Sequence, residues 1–152
     1  MQLKKTQNGF YLGQRFIPKK RFLPLESEGA IAQKSDKVFT MTVSSEKPYF
    51  RQELDLEEVL LHTPDAVDLS RFQSGKSMVL LNHDPHRYLA RITQGWLDSG
   101  YLYIEAQFKE CPELEDVRAA ILQCTSIGYN IESAVIRNDQ FVVEKWTPLE
   151  AS

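Results

Sequence analysis

At 152 residues and a net charge of -3, with 42% hydrophobic, 26% charged and 11% aromatic residues, the chain has the makings of one soluble domain. It is long enough to bury a core without disulfides or a structural metal. The charge gives no overall pull toward nucleic acid or an anionic membrane, and no stretch approaches the roughly 18 apolar residues of a spanning helix. Two cysteines, Cys111 and Cys124, sit in no CxxC pair and beside no histidine at ligand spacing, so a reducing compartment is expected and no metal or cofactor is implied. The N-terminus carries Lys4 and Lys5 without a following apolar run, so it does not read as a signal peptide.

Residues 1–35 are weakly patterned, interrupted by Gly and Pro, and read as an irregular, partly mobile segment. Residues 36–152 read as the domain. VFTMTV (38–43) is rich in β-branched residues and predicts a strand. Residues 53–60 and 64–73 read as helices, the second started by Thr63 as N-cap and Pro64 at the first helical position. SMVLLNH (77–83) predicts a buried strand ending on His83. ARITQGWL (90–97) and YLYIEAQF (101–108) flank Asp98-Ser99-Gly100, a hairpin signal.

Pro112 and Glu113 open a predicted helix over 112–124, with Leu114, Val117, Ile121 and Cys124 on one stripe. The period then drops to two: Ile127, Tyr129 and Ile131 share one face, and Ser126, Gly128 and Asn130 the other. A last hairpin turns at Asn138-Asp139. These elements predict an α+β domain built on a mainly antiparallel sheet or barrel.

Histidine is the usual base near neutral pH, and there are three. His62 reads as a surface or capping residue, and His86 as an exposed loop residue. His83 stands where apolar sequence turns polar at the end of a rigid strand, a place suited to a fixed catalytic group. Ser126 stands where helix gives way to strand, and Gly128 leaves room on its face, read here as room for a substrate backbone. Ser74, Ser99 and Ser133 fall in turns or at exposed ends. The motifs GxSxG, HExxH, the P-loop and GxGxxG are absent. A serine needs a base, and the base an orienting group. Glu150 is the candidate, with Asp84 and His86 as rivals by sequence proximity.

The run EVLLHTPDAVDLSRFQSGKSMVLLNHDPHRYLARI (58–92) resembles the signature region of the HK97-type phage prohead proteases, where a His after such a strand is the base. CTSIGYNI (124–131) resembles that family's Ser-Ile-Gly-Tyr segment, whose Ser is the nucleophile, and WTPLEAS (146–152) its acidic segment. VFTMTVSSEKPYFR (38–51) is similar to its opening strand and loop. The family often carries Gly at the position of Ala90, and its acidic segment usually runs on as an apolar strand beyond the position of Ser152. The chain thus reads as a trimmed domain, a self-processed form or the protease part of a protease–capsid fusion.

The resemblance implies a fold like that of the herpesvirus assemblins, a mainly antiparallel β-barrel with peripheral helices. It implies a serine endopeptidase with His83, Ser126 and Glu150 as triad, acting on capsid and scaffold proteins and on itself. By analogy with the assemblins it implies a homodimer, working in the bacterial host cytoplasm within the assembling prohead. The competing expectation is a non-catalytic head-assembly module that binds scaffold or capsid protein. Binding to nucleic acid or membrane is not expected.

Overall fold

The computed structural model describes residues 2–25, 31–120 and 122–152. Thirteen strands and two short helices follow in chain order: β1 (Leu3–Thr6), β2 (Gly9–Leu12), β3 (Arg15–Pro18), β4 (Lys20–Pro24), β5 (Ile31–Gln33), β6 (Val38–Ser45), β7 (Tyr49–Arg51), β8 (Leu56–Leu60), α1 (Ser70–Gln73), β9 (Met78–Leu81), β10 (Asp84–Asp98), β11 (Tyr101–Phe108), α2 (Pro112–Arg118), β12 (Ser126–Arg137) and β13 (Gln140–Ala151). The main sheet runs β4-β12-β13-β9-β10-β11-β6-β5, with β8 attached to β13 and β7 to β8. Pairing is mostly antiparallel; β13 runs parallel to β8 and meets β9 in parallel at Ala151–Val79.

Alternation decides which face is buried. Phe39, Met41 and Val43 on β6, Leu102, Ile104 and Ala106 on β11, and Ile127, Tyr129 and Ile131 on β12 all point into one core. Each large side chain so buried stabilises the fold by about 1.5–3 kcal/mol. The sheet curls, bringing the start of β12 to β6, where Thr125 Oγ1 donates to Thr42 O at 2.7 Å. No ladder among the described residues joins the two ends, so the expected barrel is an open, curled sheet. The peripheral helices shrink to four and seven residues.

Several expected elements differ. The segment 1–35, read as irregular, forms β1–β5 over its described part: β1–β3 make a small meander that buries Phe10, Leu12 and Ile17, and β4 pairs with β12. Gly13 takes φ +62 at the β2–β3 turn. Two of its basic residues are tied down: Arg15 donates to Leu54 O, and Arg21 is buried against Glu58.

Residues 56–60 are strand rather than helix, because pairing with β13 on one side and β7 on the other overrides local propensity. Only Ser70–Gln73 of the expected 64–73 helix is helical; Thr63 O accepts from Ala66 N and Val67 N in a single turn, and Val67 then bridges to Trp146. The expected helix at 112–124 ends at Arg118, followed by Ala120 at φ +58. Leu114 and Val117 are buried as the stripe requires, Cys124 is exposed, and Ile121 lies outside the described residues. Ser133 lies inside β12 rather than in a turn. The hairpins at Ser99-Gly100 and Asn138-Asp139 form as read, each with both turn residues at positive φ.

Candidate active site

β9 and β10 are joined by a two-residue turn, Asn82-His83, with Leu81 paired to Asp84 across it. His83 is therefore a turn residue rather than a strand residue. Asn82 and His83 have φ of +53 and +57, the left-handed backbone that a tight turn of the type I′ kind demands. Asn and His tolerate that region better than most residues. The turn is fastened by His83 N, which donates to Ser152 Oγ at 3.0 Å.

β12 and β13 supply the other two groups. Ser126 opens β12, and its main chain pairs with Ser152 in both directions, Ser126 N to Ser152 O at 2.9 Å and Ser152 N to Ser126 O at 3.0 Å. Gly128 faces Glu150 in the register. The three side chains converge: His83 Nε2 lies 2.6 Å from Ser126 Oγ, and His83 Nδ1 lies 2.6 Å from Glu150 Oε1. A carboxylate only accepts, so Nδ1 carries the proton toward Glu150 and Nε2 is left as the acceptor for the Ser126 hydroxyl. Leu23 O lies 3.2 Å from the same hydroxyl. One proton cannot serve both, and the shorter contact is to the imidazole.

Glu150 is buried, and its Oε2 meets no hydrogen-bond donor among the described residues. Its charge is therefore directed chiefly at His83. The Phe22 ring covers the imidazole at 4.4 Å between centroids. The rivals for the orienting role are elsewhere engaged: Asp84 Oδ1 accepts from His86 N in the loop of β10, and His86 is exposed.

Gly128 has a different role from the one expected. A Cβ there would fall 2.0 Å from Glu150 Oε1 and 2.9 Å from its Cδ. The space beside Ser126 on this face is thus taken by the carboxylate, not kept for substrate. Gly128→Ala is expected to push Glu150 Oε1 off His83 Nδ1, because a Cβ has no room beside the carboxylate. The Nδ1 proton resonance of His83 checks it on folded protein; an unchanged resonance would mean that the carboxylate keeps its contact in spite of the added methyl.

His62, expected at the surface, is buried at 5% exposure. Its Nδ1 donates to Leu60 O at 2.8 Å, so Nε2 accepts from Ser44 Oγ at 2.7 Å, and Glu46 Oε2 accepts from its backbone N–H. Burial holds its pKa below the usual histidine range, against the opposing pull of the Leu60 carbonyl and the Glu46 charge. This second Ser–His pair is sealed from solvent, with Ser44 2% exposed, and braces β6 against the segment after β8.

Behind the site lies Glu58, fully buried on β8. Arg21 Nε and Arg51 Nε each donate to its Oε1 at 3.1 Å, and Tyr129 OH donates to Oε2. Arg51 Nη2 reaches Phe22 O at 2.8 Å and Tyr129 OH at 3.1 Å. Burial, then the charge of Glu58, pushes the Tyr129 phenol well above its ordinary pKa, so it stays protonated and donates. The cluster ties β4, which carries Phe22, to β12, which carries Ser126. Nothing in the local sequence signals it, because its members are spread from β4 to β12. Among the described residues no group of His, Cys, Asp and Glu is placed to hold a metal ion, and no helix is long and apolar enough to cross a membrane. No known protein family, curated protein or solved structure matches the chain.

Proposed function

We propose that the chain is a serine endopeptidase with Ser126 as nucleophile, His83 as base and Glu150 as orienting acid. The observation that carries this reading is the unbroken Ser126 Oγ–His83–Glu150 line, with both contacts at 2.6 Å. Ser126 Oγ attacks the scissile carbonyl carbon as Nε2 takes its proton, giving a tetrahedral oxyanion. Collapse breaks the C–N bond, and Nε2–H delivers the proton to the leaving amine. Water, deprotonated by Nε2 in turn, hydrolyses the acyl-enzyme and frees Ser126. Glu150 holds the imidazole in the tautomer with Nδ1–H and stabilises the imidazolium formed in each half-reaction. Phe22 shields one ring face from water.

The resemblance of segments 58–92, 124–131 and 146–152 to prohead proteases supports capsid and scaffold proteins, and the chain itself, as substrates. It supports an assemblin-like fold as well, of which the curled antiparallel sheet would be the counterpart. On this reading the enzyme acts as a homodimer inside the assembling prohead, in the bacterial cytoplasm.

A fluorophosphonate probe tests the chemistry. The folded protein should gain one adduct, mapped by mass spectrometry to Ser126 and absent from Ser126→Ala and His83→Ala. A folded protein that gains no adduct would instead be a binding module of the head that has kept a serine, a histidine and a carboxylate in line without using them.

A further inference from the structure

Beside Ser126 the surface opens into a cavity of about 360 Å³. Met41, Val79, Leu81, Leu89, Phe108 and Leu122 form its walls, and Ser126 and His83 belong to the same lining. No Asp, Glu, Lys or Arg is among the described residues that line it. Ligand sites span about 300–1,000 Å³, so this one has room for a large apolar side chain.

We propose that the cavity receives the apolar side chain of the residue whose carbonyl Ser126 attacks, and that the enzyme cleaves after residues of leucine or phenylalanine size. The inference rests on the reading of Ser126 as nucleophile. An apolar side chain leaving water for these walls stabilises the bound peptide in proportion to its area. An ionised one would lose its hydration and find no counter-charge among the described residues of the lining. Continuity with the nucleophile assigns the occupant: a side chain seated there comes from the residue held against Ser126 Oγ.

The test is a series of aminoalkyl diphenyl phosphonates bearing the side chain of Ala, Leu, Phe, Lys or Asp, read as second-order rates of Ser126 modification. The Leu or Phe probe should react at least ~10-fold faster than the Ala probe, and ~10²-fold faster than the Lys and Asp probes. Leu122→Asp, at a half-buried wall position, should lower the Leu rate and raise the Lys rate, each by at least ~10-fold. Circular dichroism checks that this variant folds; if it does not, the series on the unaltered protein decides alone. The fluorophosphonate, which carries no side chain for the cavity, reads the nucleophile separately. If it labels Ser126 while the series is flat, or peaks at Ala, Lys or Asp, the cavity assignment is overturned and the nucleophile stands. If neither reagent modifies Ser126, both readings fall.

Discussion

Ser126→Ala is expected to lower kcat for cleavage of a capsid or scaffold peptide by on the order of 10⁶-fold, and His83→Ala by about as much. The double variant should be little worse than either. The hydroxyl without its base, and the base without its hydroxyl, are equally inert, so their contributions do not add. Glu150→Gln should cost less, about 10⁴-fold. Its amide can donate as well as accept at Nδ1 and so admits the wrong imidazole tautomer, while the pair at Nε2 stays in place. Thermal unfolding should shift little in Ser126→Ala, whose hydroxyl is only part-buried. Cleavage undiminished in either the Ser126 or the His83 variant would end the peptidase assignment.

The second large effect is on stability. Glu58→Ala is expected to destabilise the fold by about 3–5 kcal/mol, because it leaves the buried Arg51 guanidinium without a carboxylate and Arg21 with only the exposed Glu53 at 3.1 Å. The side chains of Arg21 and Arg51 are 7% and 13% exposed, so water can relieve little of that penalty. In a chain of this length the shift corresponds to a midpoint lowered by roughly 6–20 °C. The Tyr129 hydroxyl loses its acceptor in the same step. A loss below about 1 kcal/mol in urea or thermal unfolding would show that the cluster contributes nothing net. Since Arg51 also holds Phe22 O, Glu58→Ala should loosen the ring over His83 before the chain unfolds.

The strands with two-residue alternation were legible because they bury one face. Ile127, Tyr129 and Ile131, or Leu102, Ile104 and Ala106, carry their own signal whatever they pair with. The two turns with positive φ at Ser99-Gly100 and Asn138-Asp139 were legible for a related reason: local chemistry sets their backbone. Residues 53–60 were not, because a glutamate reads as solvated unless its distant arginines are known. Nor were β1–β4, whose four or five residues are too few for a period to emerge and which exist by pairing.

The site divides the same way. His83 stood out where apolar sequence turns polar and Ser126 where a helical pattern gives way to a two-residue one, and the family resemblance singled them out. Their meeting across 43 residues, and Glu150 across 67, is a property of the fold. Phe22, Ser152 and the true reason for Gly128 were hidden for that cause. Gly128 did carry a trace in the sequence, a residue without a side chain on the serine's own face, but its neighbour across the sheet decided what the space was for.

The turn at Asn82-His83 sets stability and chemistry against each other at one position. Its backbone is one that glycine adopts freely and that costs an L-residue with a β-carbon roughly 1–2 kcal/mol. Selection for a sturdier chain alone would drift toward glycine at position 83 and erase the proposed base. A histidine there places an imidazole where glycine would be the sturdier choice, as the proposed role of His83 requires. By the same reasoning, lineages that gave up the chemistry would be recognised first by what has replaced it in this turn, before any change in the core.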